Sequence, residues 1–170
     1  TLNTVGPSII SRGTDEQKKR FLPGIAGGEL HFSIGYSEPS AGTDLAALTT
    51  SAVKHDDHYL VNGSKVYTSG AEGADYVWLA ARTNSEVPKH KGISILVVDT
   101  SDPGFSRGDI NTMGGVHTNV TYYENIKVPL DMIIGQENGG WRLITEQLNH
   151  ERVGLAAWGI QGWKLFHDTL

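Results

Sequence analysis

The chain of 170 residues has a formal net charge of -5 and no cysteine, which excludes disulfides, thiolate metal sites and a cysteine nucleophile and argues against a nucleic-acid surface. Its longest apolar run, Ile93 to Val98, is far too short to span a membrane, and its histidines lack the His-x-x-x-His or Glu-x-x-His spacing of a metal site. The expectation is an acidic, soluble, cytoplasmic domain with a core of ordinary size.

No initial Met is present, and Trp163 to Leu170 runs out in mid-pattern, so the chain is expected to be a piece of a larger one. Thr1 to Arg12, with Gly6-Pro7 inside it, reads as the tail of a helical region. Thr14-Asp15-Glu16-Gln17 starts a second helix, with Thr14 as cap and Gln17 completing a capping box; Pro23-Gly24 is expected to stop it. A first strand follows at about Leu30 to Ile34. It leads into Gly35-Tyr36-Ser37-Glu38-Pro39-Ser40-Ala41-Gly42-Thr43-Asp44-Leu45, a polar loop whose amides and hydroxyls suit a polar cofactor edge or a phosphate.

Strands dominate after Ala46. Thr49 to Lys54 alternates loosely and His55-Asp56-Asp57-His58 is a turn. Tyr59 to Val61 and Ser64 to Tyr67 flank Asn62-Gly63, a strong hairpin signal. Ala74 to Arg82, Gly92 to Thr100 and Val120 to Val128, closed by Pro129, are further strands rich in β-branched and aromatic residues. Gly104, Gly108 and Gly114-Gly115 read as turns. Six or seven short strands at regular spacing point to a mainly β fold, an antiparallel sandwich or barrel, flanked by helices. Lys89-His90-Lys91 lies in a polar connection, either solvated or touching a phosphorylated ligand. Tyr67-Thr68-Ser69-Gly70 sets an aromatic ring beside two hydroxyls, which is a wall for a planar heterocycle or an ordinary strand-end cluster.

The period changes to about 3.6 at Trp141, where a long helix begins. At about 100° per residue, Ile144, Leu148, Leu155 and Trp158 share one stripe. Glu151 falls inside that stripe, whereas His150 points to the far side. A carboxylate there is paired with a cation, exposed at a packing gap, or retained as a general base.

These residues together resemble the acyl-CoA dehydrogenase family of flavoproteins. Tyr36 to Asp44 is similar to the family's Thr-Glu-Pro-x-Ala-Gly-Ser-Asp loop, and Asn62 to Ser69 to its Asn-Gly-x-Lys-x-Trp-Ile-Thr segment. Val128-Pro129, Gly135 and Gly139-Gly140 match its punctuation, and Asn149-His150-Glu151-Arg152 the opening of its C-terminal helical domain. The resemblance implies three parts: residues 1–30 as the end of an N-terminal helical domain, 31–135 as the middle β domain, and 136–170 as the start of a C-terminal helical domain. It implies FAD as cofactor and α,β-dehydrogenation of an acyl-CoA to the trans-2-enoyl-CoA, with a base taking the Cα proton and hydride passing from Cβ to flavin N5. An acyl-CoA oxidase, a non-catalytic flavin-binding partner subunit and a plain β binding module are the alternatives.

By the same resemblance, Ser37 bonds near N5, Tyr67 packs on the isoalloxazine with Thr68 and Ser69 at its polar edge, and Ile34 and Tyr36 join the cofactor set. Thr43 serves the pyrophosphate or the acyl-CoA, and His90, Asn149 and Arg152 complete the substrate set. Most family members carry the base on a later helix; a smaller group carries a Glu just before the helix Arg, the position of Glu151, which is therefore the expected base. Electron-transfer flavoprotein or a similar acceptor, and a homo- or hetero-tetramer, are the implied partners. Tyr67 in place of the commoner Trp, Ser40 in place of a common Gly, and Val116-His117-Thr118-Asn119 depart from the family pattern. The wording of several segments is most similar to actinobacterial members, some of which act on steroid side-chain thioesters.

Overall fold

A computed structural model describes residues 1–115 and 117–168. Two helices precede the sheet: α1 (Val5–Arg12) and α2 (Asp15–Gly27). Pro7 falls in the first turn of α1, where a backbone N–H would lack a helical partner anyway. The expected capping box opens α2: Gln17 N–H donates to Thr14 Oγ1 at 3.2 Å and Thr14 N–H to Gln17 Oε1 at 2.9 Å. Gln17 is buried, and its amide also donates to the carbonyls of Asp131 and Ile133, tying the helix to the sheet.

The stop expected at Pro23 does not occur. Proline removes one helical hydrogen bond, but Phe21 and Ile25, four residues apart on one face, are both buried and hold the helix on either side of it. Gly28, with φ 74°, ends the helix instead.

Eight strands follow: β1 (Phe32–Gly35), β2 (Ser51–Lys54), β3 (His58–Val66), β4 (Tyr76–Arg82), β5 (Ile93–Asp99), β6 (Phe105–Asn111), β7 (His117–Pro129) and β8 (Ile133–Ile134). They form one sheet in the order β6-β7-β3-β2-β4-β5-β8, with β1 also on β4. All pairings are antiparallel except β1 and β2 against β4. The mainly β, helix-flanked class expected from the sequence is the one found. Trp78 to Ala81 of β4 and Ile95 to Val98 of β5 are completely buried and form its centre. No helix among the described residues is long and apolar enough to cross a membrane.

The hairpin at Asn62-Gly63 is a correction: β3 runs straight through it. A register shift against β7 falls between Val61 and Gly63, where β3 advances two residues and β7 three, so the bulge lies on β7 opposite the pair, with Asn125 at φ 53°. A Cβ on Gly63 would lie 2.6 Å from Thr50 Oγ1 and 2.7 Å from Thr50 Cα, so this glycine permits close backbone approach. The real hairpin turn is His55 to His58, where His55 N–H donates to the His58 carbonyl. Gly108, read as a turn, pairs with Val120 inside β6, whose Ser106 to Asp109 all face solvent and so show no alternation.

β1 and β2 share one edge of β4. Phe32 to Gly35 pair with Tyr76 to Leu79, and Ser51 meets Arg82. Between them the chain leaves the sheet as the loop 36–50. The last helix, α3 (Gly140–Asp168), begins where expected. Ile144 is fully buried and Leu148 partly so, whereas Leu155 and Trp158 are exposed; the apolar stripe packs only through its first part.

Candidate functional site

The loop after β1 is held by a buried ion pair. Lys65 Nζ donates to Glu38 Oε1 at 2.9 Å and to the Tyr36 carbonyl at 3.0 Å, and both side chains are buried. Glu38 also accepts from Thr49 N–H and Oγ1–H and from Thr50 N–H, at 2.7 to 2.8 Å. Burial raises the carboxyl's pKa, but Lys65 and these donors more than offset it and bring it to about 2. Burial lowers the Lys65 pKa to about 8 against the pull of Glu38. Glu38 and Ala41 exchange backbone hydrogen bonds at 3.1 Å, closing a tight turn in which Ser40 holds an ordinary negative φ.

Sequence reasoning did not assign Lys65 or Glu38. Their signal was legible: Lys65 shares the inward parity of Tyr59 and Val61, so a charge was bound for the core and needed a partner.

The Ser37 carbonyl accepts from Val66 N–H at 2.9 Å, stitching the loop to the end of β3. Tyr67 follows with φ 62°, a left-handed conformation rare for an aromatic residue, and its side chain is 66% exposed. The strained backbone turns a large ring outward from the sheet.

Ile34, Tyr36 and Ser37 from one side, Val66, Tyr67 and Ser69 from another, and Leu148 and Glu151 from α3 line an open cleft of about 450 Å³, with Phe32, Thr1 and Thr4 completing it. Six residues expected at the site (Ile34, Tyr36, Ser37, Tyr67, Ser69 and Glu151) thus meet, although they are far apart in sequence. Among the described residues, the Ser37 hydroxyl makes no hydrogen bond and Glu151 has no ion-pair partner; Arg152 instead donates to Asn149 Oδ1 at 3.0 Å. Tyr36 is buried, which pushes its hydroxyl's pKa upward; a hydrogen bond from Trp78 opposes the shift and the nearby Glu151 charge adds to it.

The remaining expected residues lie elsewhere. Thr68 is fully buried with its hydroxyl 3.2 Å from that of Thr121, so it braces the β3 end from inside. Thr43 and His90 are exposed on another stretch, where Lys89 pairs with Asp44, and Arg82 donates to the carbonyls of Ala46, Leu48 and Lys89. Asn149 and Arg152 are exposed on α3. In the run Val116 to Asn119, Val116 lies outside the described residues, while Asn119 is buried and its Oδ1 accepts from Ala71 N–H at 3.2 Å.

The cleft fits the ring end of a flavin: an outward aromatic face, an apolar floor of Phe32, Ile34, Val66 and Leu148, and a free hydroxyl at Ser37. No lysine or arginine lines it among the described residues, so a pyrophosphate finds no side-chain cation there.

A family model described as "Acyl-CoA dehydrogenase, middle domain" matches residues 33–126. Acyl-CoA dehydrogenase FadE29 of Mycobacterium tuberculosis is 60% identical over 160 residues, which is 94% of this chain and 41% of that protein. The solved Tcur3481-Tcur3483 steroid ACAD superposes with a TM-score of 0.93 at 56% identity, covering 98% of this chain and 44% of that one. The ChsE4-ChsE5 complex from Mycobacterium tuberculosis gives a TM-score of 0.84 at 57% identity over 88% of this chain and 39% of that one. The chain spans about two fifths of the length of the relatives it matches.

Proposed function

Because this chain belongs to the acyl-CoA dehydrogenase family, we propose that it supplies the cofactor- and base-bearing middle of an enzyme that dehydrogenates an acyl-CoA at Cα and Cβ. Within it, residues 1–30 end an N-terminal helical domain, 31–135 form the middle domain and 136–170 open a C-terminal helical domain. The observation that carries the reading is the meeting of Glu151, without a cation, with Tyr67 and Ser37 at one cleft.

FAD, when bound, would accept the hydride that leaves Cβ. Ile34, Tyr36, Ser37, Tyr67 and Ser69 would hold its ring end, the Tyr67 ring covering a face and the Ser37 hydroxyl donating to an edge nitrogen. Thr68 would act at one remove, by fixing the β3 end. Glu151 takes the Cα proton, leaving the electron pair to form the new double bond as the Cβ hydride departs. Its lack of a paired cation leaves the carboxylate free to accept that proton. Thr43, His90, Asn149 and Arg152 stand outside the cleft and suit the CoA portion, which extends away from the reacting carbons.

The likeness to a steroid ACAD and to the ChsE4-ChsE5 complex supports a bulky CoA thioester such as a steroid side chain and a heteromeric assembly. An electron-transfer flavoprotein or similar acceptor would take the electrons onward, and a solved structure described as an electron transferring flavoprotein is 35% identical to this chain. The test is Glu151→Gln in the intact protein. Turnover should fall by about 10²-fold or more with the yellow flavin spectrum retained; turnover within a few-fold of wild type would remove Glu151 as the base.

A further inference from the structure

Three buried side chains form a polar chain between the sheet and α3. Trp78 Nε1 donates to the Tyr36 hydroxyl at 3.0 Å, and Tyr36 donates to Gln147 Oε1. The direction is set by chemistry: an indole can only donate, so the phenol accepts there and gives its own proton to the amide oxygen. The chain starts on β4, passes through the first residue of the loop and ends on α3, one turn before Glu151. Gln147 and Glu151, four residues apart, share one helix face.

Packing alone does not explain the amide. Gln147 is only 4% exposed, and its Nε2 has no hydrogen-bond partner among the described residues. A buried donor left unpaired costs about 1–3 kcal/mol, which a methionine of similar length would avoid. What Gln147 does provide is the acceptor for the Tyr36 proton.

We propose that Gln147 is a positioning residue for Glu151: through Tyr36 it fixes the rotation of α3 over the loop and keeps the tyrosine proton turned away from the carboxylate. This rests on the reading of Glu151 as the base. Tyr36 and Glu151 line the same cleft, and the Glu151 charge is felt at the Tyr36 hydroxyl, so a phenol proton released from Gln147 would be drawn toward a hydrogen bond with the carboxylate. That hydrogen bond would favour the ionised carboxylate and make it a weaker base. The other titratable groups near Glu151 are Tyr67 across the cleft and His150 and Arg152 beside it on its own helix. None of these exchanges a hydrogen bond with Gln147.

The test uses the intact, flavin-loaded protein and compares Gln147→Met with Gln147→Met/Tyr36→Phe. Gln147→Met should lower kcat by about 10- to 100-fold, the scale of a misplaced reacting group. KM and the flavin-to-protein ratio should stay at wild-type values, and the acid limb of the kcat profile should move to lower pH. Adding Tyr36→Phe removes the loose proton and should return the acid limb to its wild-type position. Should Gln147→Met fail to fold, Gln147→Glu keeps the acceptor and adds a carboxylate one turn away, so its acid limb should move to higher pH. Unchanged turnover in Gln147→Met, an acid limb that stays put in both Gln147 variants, or a loss that follows flavin content would each overturn the proposal. Survival of turnover in Glu151→Gln would instead remove the base itself, a separate result.

Discussion

Lys65 and Glu38 show how a single charge can hold a functional loop. Removing one partner of a buried pair strands the other, and Lys65→Met should destabilise the protein by about 3–5 kcal/mol, measured by chemical denaturation. The pH dependence follows from the depressed Glu38 pKa. The unfolded carboxyl titrates near its ordinary value of 4.5 and the folded one near 2, so the Glu38 contribution is complete just above pH 4.5 and is lost as pH falls toward 2. Stability should therefore decline across that window, and Glu38→Gln should flatten the decline; an equal slope in the variant would assign the acid sensitivity elsewhere. At this scale Glu151 was legible in the sequence because a carboxylate broke an apolar period. Gln147, on the same face, was not singled out, because an uncharged amide breaks that period less visibly.

Among the elements, β3 and β6 separate local preference from sheet context. Asn62-Gly63 has the composition of a tight turn, yet β3 passes through it because Ser51 to Lys54 pair along one edge and Val120 to Val128 along the other. What the glycine provides is room beside Thr50. Gly63→Ala, at φ 146° and with Thr50 under 3 Å from the new Cβ, should cost about 1–3 kcal/mol; a melting temperature equal to wild type would show that β3 relaxes freely here. β6 was missed for the opposite reason: its residues between Phe105 and Ile110 are polar and exposed, and only pairing with β7 makes them a strand. Pro23 is a further case, a breaker overruled by Phe21 and Ile25 packing on either side. The elements read best from sequence are those whose own residues are buried, β4 and β5 above all.

At the scale of the molecule, the site is a meeting of three separate stretches: the loop after β1, the end of β3 and the third turn onward of α3. Its cleft is open, lacks lysine or arginine among the described residues, and belongs to a chain about two fifths the length of its relatives. These 170 residues by themselves should bind FAD weakly and be inactive. Flavin retained at one equivalent through gel filtration of this chain alone would contradict that expectation.

The class of fold, the capped second helix, the buried central strands, the polar loop and the misplaced carboxylate can be read along the chain, because each is written in contiguous residues or in a short period. The folded chain sets β1 and β2 on one edge of β4, so that the segment between them leaves the sheet beside the end of β3. It alone joined Glu38 to Lys65, turned Tyr67 outward, and linked Trp78 through Tyr36 to Gln147. These are contacts between residues tens of positions apart, set by strand register and by which side chains compete for the same buried space, and no local pattern encodes them.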